Sequence, residues 1–249
     1  MRTRPIVVVL TVMMFLAGWS LCQSESPSEP SLLNVSVVQV KYDMIQEFEA
    51  LQKEMSGALK EAGSPFRHVW QVARGATNEY HIVTPAENFA EFDQPSLSAK
   101  AMGEEGFAAW VAKVTKCIQA RSVLTLRSVP GLSIPPKDGA ATNLAVLTTR
   151  DALPGRGRDY ATWMREKLLP AAKKAGVTGF SVYRPVFGGS DRGWTTVTLA
   201  DNWAALDQDH PIVRSLSQAE LAELFGPVGE MTASGERIVI RYRPELSIQ

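Results

Sequence analysis

Three histidines, His68, His81 and His210, are the side chains able to exchange a proton near neutral pH or to ligate a metal. His68 stands two residues before Trp70, and His81 follows after a short Gly75/Asn78 turn. Pairing Ala73 with Tyr80 across that turn sets Trp70 against Val83 and Val72 against His81. The two-residue period of a strand then places His68, Trp70, Val72, His81 and Val83 on one face of a sheet. A histidine on a pocket wall is a candidate base, or a haem or metal ligand, and a tryptophan beside it offers an apolar plate. His68 and His81 are thus the catalytic candidates and Trp70 a ligand-binding one, although the same residues also suit core and rim packing. His210 lies in Asp207-Gln-Asp-His-Pro211 and reads as a solvated loop histidine.

Other chemistries leave no trace in the sequence. It has no His-Glu-x-x-His, Cys-x-x-Cys, Gly-x-Ser-x-Gly, P-loop or EF-hand pattern, so no metal site is predicted and no cofactor is required. Cys117 sits in an apolar helical context and reads as a small buried hydrophobe. Arg150, Arg156 and Arg158 gather near one loop, either as a solvated patch or as a hold for an anion. Lys and Arg total 26 against 26 Asp and Glu, which argues against a nucleic-acid partner.

The elements that must position these residues begin after a leader. Arg2 and Arg4 precede the apolar run Ile6–Ala17, too short for a membrane span and right for a signal-peptide core. Residues 1–24 are read as a signal peptide and 25–32 as a polar linker. The mature chain is expected to be periplasmic or secreted and off the membrane. Lipidation of Cys22 fits poorly, because Trp19 and Leu21 occupy the positions that a lipobox reserves for Leu and a small residue.

The rest is an internal repeat. Asn88-Phe-Ala-Glu-Phe-Asp93-Gln94 echoes Asn202-Trp-Ala-Ala-Leu-Asp207-Gln208 at an offset of 114. Arg127-Ser-Val-Pro130-Gly-Leu132-Ser133 echoes Arg241-Tyr-Arg-Pro244-Glu-Leu246-Ser247 at the same offset. Ala62-Gly63 matches Ala175-Gly176 at 113, and Asn34 matches Asn143 at 109, implying about four extra residues near Pro154–Gly157. The copies cover 33–133 and 142–249, joined by a linker at 134–141. Each reads β-α-β-β-α-β: short β-branched runs alternate with helices such as Met44, Phe48, Leu51, Met55 and Leu59, spaced three to four apart. Asn88 and Asn202 read as helix N-caps, and Asp93 and Asp207 as caps of the next segment.

That element order is the ferredoxin-like unit, a four-stranded antiparallel sheet with helices on one face. The fold class is therefore α+β: two tandem units covering each other's bare faces as an intramolecular barrel. With Asn88-Phe-Ala-Glu-Phe-Asp93 and Lys100-Ala-Met-Gly-Glu-Glu-Gly-Phe-Ala-Ala-Trp110, the chain resembles the dimeric α/β-barrel superfamily, in its NIPSNAP and antibiotic-biosynthesis-monooxygenase-like groups. The resemblance implies two sheets forming one barrel, with a pocket between sheet and helices in each half. It implies no single activity, since such proteins include cofactor-independent oxygenases, haem-handling enzymes and members without chemistry.

At the positions of His68, Trp70 and His81 the second copy carries Ser181, Tyr183 and Thr195, so a site is expected in the first copy. Tyr183 and Trp194 are the ligand-binding candidates of the second, lining an apolar pocket there. Three readings stay open: a monomeric exported barrel binding a small apolar or aromatic molecule, an oxygenase or haem-handling enzyme with its site in the first copy, and a non-catalytic structural or interaction protein.

Overall fold

A computed structural model describes residues 32–137 and 143–248. The leader, Cys22 and part of the linker between the copies lie outside the described residues. The first half runs β1 (Leu32–Val40), α1 (Ile45–Glu61), β2 (His68–Arg74), β3 (Glu79–Ala86), α2 (Leu97–Cys117) and β4 (Ile118–Ser128). The second runs β5 (Leu144–Ala152), α3 (Gly157–Trp163), a π-helical turn (Met164–Leu168), α4 (Leu169–Lys174), β6 (Phe180–Phe187) and β7 (Gly193–Ala200). The short helices α5 (Ala204–Asp207), α6 (Pro211–Ser215), α7 (Gln218–Phe225) and α8 (Val228–Met231) lead to β8 (Thr232–Tyr242).

The strands lie in the order β4-β1-β3-β2 in one half and β8-β5-β7-β6 in the other, all antiparallel. The edge strands then pair across the halves, β2 with β8 and β4 with β6, and close an eight-stranded barrel. Alternation along each strand sends one set of side chains inward and the other toward the helices. Trp70, Val72, Ala145, Ile240 and Tyr242 pack inside, as do Leu33, Val35, Leu126 and Tyr183. Outside, α1 buries Phe48, Leu51, Met55 and Leu59, the stripe its spacing predicts. Free Cys117 is buried in the same first-half layer.

The structure corrects the register and the alignment of the copies. Trp70 pairs with His81 and His68 with Val83, a shift of two from the expected pairing. An even shift keeps the five residues on one face. The turn is longer because β2 leaves β3 after Gln71, whose amide donates to the Thr77 carbonyl, and then bulges along β8. Likewise Asn34 corresponds to Val146 rather than Asn143. The bulges at Val40/Ile118 and Ala152/Thr232 fix the offset of β1 and β5 at 112. There is no four-residue insertion near Pro154. One residue enters in the π-helical turn and one in the β6–β7 turn. With these offsets, Phe48 against Tyr80 (ring centroids 5.0 Å apart) is matched by Tyr160 against Trp194 (5.5 Å). Asp93 and Asp207 cap no helix. Ser96 caps α2 and His210 caps α6, and of the two asparagines only Asn202 accepts a capping bond, from the Ala205 N–H. The aromatic residue after each asparagine crosses the seam instead: Phe89 packs on Phe187 (5.3 Å), and Trp203 lies under the Arg74 guanidinium (4.8 Å).

The segment after each closing strand crosses to the opposite half. Leu132 is buried in the helix-side core of the second half and Leu246 in that of the first. Ile134 bridges to Phe180, and Ile248 bridges to Arg67. Arg67 is only 3% exposed and donates to Ser56 Oγ (2.8 Å), the Leu246 carbonyl (3.1 Å) and Gln52 Oε1. Burial pushes its pKa down to about 10, so it stays charged at neutral pH. Arg243 adds a partly buried ion pair to Glu49 on α1 (2.6 Å). Emptying either exchanged seat should cost what a buried leucine costs. Leu132→Ala and Leu246→Ala are each expected to lower the unfolding free energy by about 2–5 kcal/mol in urea titration, far more than an exposed leucine such as Leu97.

Candidate functional site

The barrel interior brings together four of the five residues singled out from sequence. His68, Trp70 and His81 project inward from β2 and β3, and Tyr183 joins them from β6. His68 stacks on Phe66 (4.7 Å) and meets the edge of Tyr242 (5.6 Å), and burial lowers its pKa. Trp70 leans on Tyr242 (5.0 Å), whose buried hydroxyl has no hydrogen-bond partner among the described residues. His81, 9% exposed, holds Glu79 Oε1 through Nε2 at 2.8 Å. Sequence reasoning missed Glu79, yet it stands two residues before His81 on the same face, which is where an orienting carboxylate belongs. An eight-stranded barrel is just wide enough for its own side chains, and these aromatic rings pack the interior.

Trp194 is not part of that group. It lies on the opposite, helix-facing side of β7 and is 4% exposed. The Arg184 guanidinium sits over its ring at 4.9 Å. Neither Trp194 Nε1 nor Arg184 Nε has a hydrogen-bond partner among the described residues. Tyr183 and Trp194 therefore do not line one pocket, because neighbouring strands aim them to opposite faces of the sheet.

Two cavities open on the outer face of the second half, and neither is lined by the Tyr183 or Trp194 expected to form a pocket there. The larger, about 490 Å³, lies between the sheet and the Gly176–Gly179 and Asp201–Pro211 loops. Val146, Val177, Leu206 and Pro211 supply apolar wall, while Lys137, Asn143, Asp201, His210 and Arg237 supply polar groups. The smaller, about 200 Å³, is lined by Thr148, Arg150, Gly235, Glu236 and Arg237. Arg237 borders both. Of the arginines grouped from sequence, Arg150 turns to this face, whereas Arg156 pairs with Asp159 in the exposed first turn of α3 (2.7 Å).

His210 is not a solvated loop residue. Its Nδ1 accepts the Ile212 N–H at 3.3 Å and starts α6, as Ser96 starts α2 one repeat earlier. With Nδ1 used as an acceptor, the neutral ring carries its proton on Nε2, which makes His210 a hydrogen-bond donor at the cavity. Arg237 and His210 were legible as charged or polar residues at positions where the first copy has Val123 and Ser96.

Of the histidines that a haem would call on, His210 uses Nδ1 as an acceptor, His68 is stacked between Phe66 and Tyr242, and His81 is held through Nε2 by Glu79, a pairing that orients a ligating histidine. Among the described residues no group of three or more His, Cys, Asp or Glu could hold a metal ion, and no helix is long and apolar enough to cross a membrane.

Burial, with Arg237 and Arg214 nearby, holds the His210 pKa below its ordinary 6.5. The unfolded chain therefore takes up a proton at higher pH than the native one, and stability falls as pH drops below 6.5. His68 acts in the same direction. Urea midpoints should decrease between pH 7.5 and 5.5, and His210→Ser, which keeps a capping side chain without a titrating ring, should lose part of that slope. An unchanged slope in the variant would remove His210 from the account.

No family model matches the chain, and no curated protein matches it. Solved structures do. A candidate monooxygenase of Fusobacterium nucleatum is 12% identical with a TM-score of 0.61, over 86% of this chain and 93% of that one. An anthrone oxidase-like protein is 12% identical with a TM-score of 0.59, over 89% and 94%. A mutant chlorite dismutase of Candidatus Nitrospira defluvii is 11% identical with a TM-score of 0.56, over 88% and 94%. At such identity the likeness is one of fold. The chain has the dimeric α/β-barrel fold, built from two ferredoxin-like units in a single polypeptide.

Proposed function

We propose that this chain is an exported, monomeric barrel that binds a small molecule in the outer cavity of its second repeat. The observation that carries the reading is the 490 Å³ cavity between sheet and loops, with apolar walls and a few polar groups, the composition of small-molecule sites. The expected seat moves from the first repeat's inner face to the second repeat's outer face, because the inner face is occupied by its own aromatic residues. Export rests on Arg2, Arg4 and the Ile6–Ala17 run. A monomer is supported by the closed barrel, whose strand edges are paired within one chain.

Native mass spectrometry of gently purified protein reads leader removal, assembly state and retained ligand together. N-phenyl-1-naphthylamine, an uncharged aromatic probe, tests the seat. Its fluorescence should rise on binding, and Thr198→Trp, which fills the cavity from β7, should abolish the rise. Equal binding by the variant would place the ligand elsewhere.

A second reading is a cofactor-independent oxygenase using the first repeat. It is favoured by the His81–Glu79 pair facing the barrel interior beside Trp70, a base with an orienting carboxylate. Oxygen uptake with anthrone is the assay. Under this reading His81→Ala slows uptake about a hundredfold or more, the scale of a lost general base, and an unchanged rate rejects it.

A further inference from the structure

The two repeats share a backbone but not a charge pattern on their outer faces. Arg150 corresponds to Val38, Arg237 to Val123 and His210 to Ser96, by the offsets that the strand pairing fixes. The β5–β8 register sets Thr148 opposite Arg237 and Arg150 opposite Gly235. Arg150 and Arg237 are therefore diagonal neighbours on one face of the sheet. Gly235 lets Arg150 lie across β8: a Cβ there would stand 3.3 Å from Arg150 Cγ and 3.4 Å from Nη1. Neither arginine has a carboxylate within ion-pair distance among the described residues, whereas Arg156, Arg192 and Arg243 each have one. Glu236 and Asp201 border the cavities without pairing to them. Two neighbouring cations without a counter-ion repel each other, and the first repeat shows that the fold is satisfied by valines at both positions.

We propose that the two cavities form one site for an organic anion: Arg150 and Arg237 hold its carboxylate, sulfonate or phosphate, and its apolar body lies in the larger cavity. This deepens the small-molecule reading and rests on it. Arg237 borders both cavities and joins the charged end to the apolar end. The guanidinium forks present paired N–H donors that match the oxygens of one anionic group. Thr148 lines the smaller cavity beside them, and His210 and Lys137 line the larger one. A single negative group relieves the repulsion between the arginines, which neutral ligands cannot do.

A matched pair of probes separates charge from shape. 8-Anilinonaphthalene-1-sulfonate has the ring system of N-phenyl-1-naphthylamine plus one anionic group. Fluorescence titration of the mature protein should show the sulfonate binding at least about tenfold tighter, with the advantage shrinking as salt rises. The Arg150→Val/Arg237→Val variant, which installs the first repeat's residues, should bring the sulfonate down to the affinity of the neutral probe and leave the neutral probe within about twofold. Retained binding of the neutral probe also shows that the variant is folded. Equal affinities in the wild type, or a sulfonate affinity untouched by the double substitution, would overturn the anion site while the small-molecule reading stands. Loss of both probes in the variant would make the arginines structural and overturn it too. Binding of neither probe to the wild type would overturn the site together with the reading beneath it.

Discussion

A four-stranded β-α-β-β-α-β sheet has two unpaired edges and one apolar face that its own helices cannot reach. Each edge exposes a row of backbone donors and acceptors, and the bare face exposes strand side chains to water. Here a second unit in the same chain meets both needs. Pairing β2 with β8 and β4 with β6 removes all four edges and wraps the bare faces around each other. The rest of the molecule follows from that closure. Inward residues fill a narrow interior, outward residues meet helices, and the segment leaving each closing strand emerges over the other half. Leu132 and Leu246 therefore complete cores to which they do not belong by sequence.

Against this near two-fold frame, the differences between the halves carry the information about function. The Leu246 seat is polar, with Arg67 and Ser56, where the Leu132 seat has Phe180 and Leu169 at the corresponding positions. Tyr80 donates its hydroxyl to Glu49, while Trp194 in the matching place has an N–H without a partner among the described residues. On the outer face the valines of the first half give way to arginines in the second.

The fold was largely legible. Hydrophobic period separated strand from helix, and the constant 114 offset between the two Asn-aromatic and Pro-Leu segments announced a duplication. The inward face of His68, Trp70 and His81 was also legible, because an error of two in register does not change which way a side chain points. What failed depended on distant partners. The β2–β3 turn length was set by β8, which lies far along the chain, and the match of Asn34 with Asn143 was a coincidence that only strand pairing exposes. The outer cavities of the second half were out of reach for a related reason. Histidines and aromatic rings suggested chemistry on the inner face, but whether that face encloses space depends on the closed barrel's width. Arg237 against Val123 was visible at the 114 offset read from the sequence, whereas Arg150 against Val38 needed the 112 offset that only strand pairing gives.

The exchanged segments also impose an order on biogenesis. The backbone partners Arg67 and Ile248 are separated by nearly the whole described chain, and the Leu246 carbonyl accepts from both Ser56 and Arg67. While the second half is still being made, α1 and β2 lack the leucine that fills their core, and a buried arginine lacks one of its acceptors. The contacts that complete the first half are thus among the most non-local in the molecule. Contacts of such separation carry a large loop-closure cost, so completion of the first half is tied to the slow, non-local part of folding.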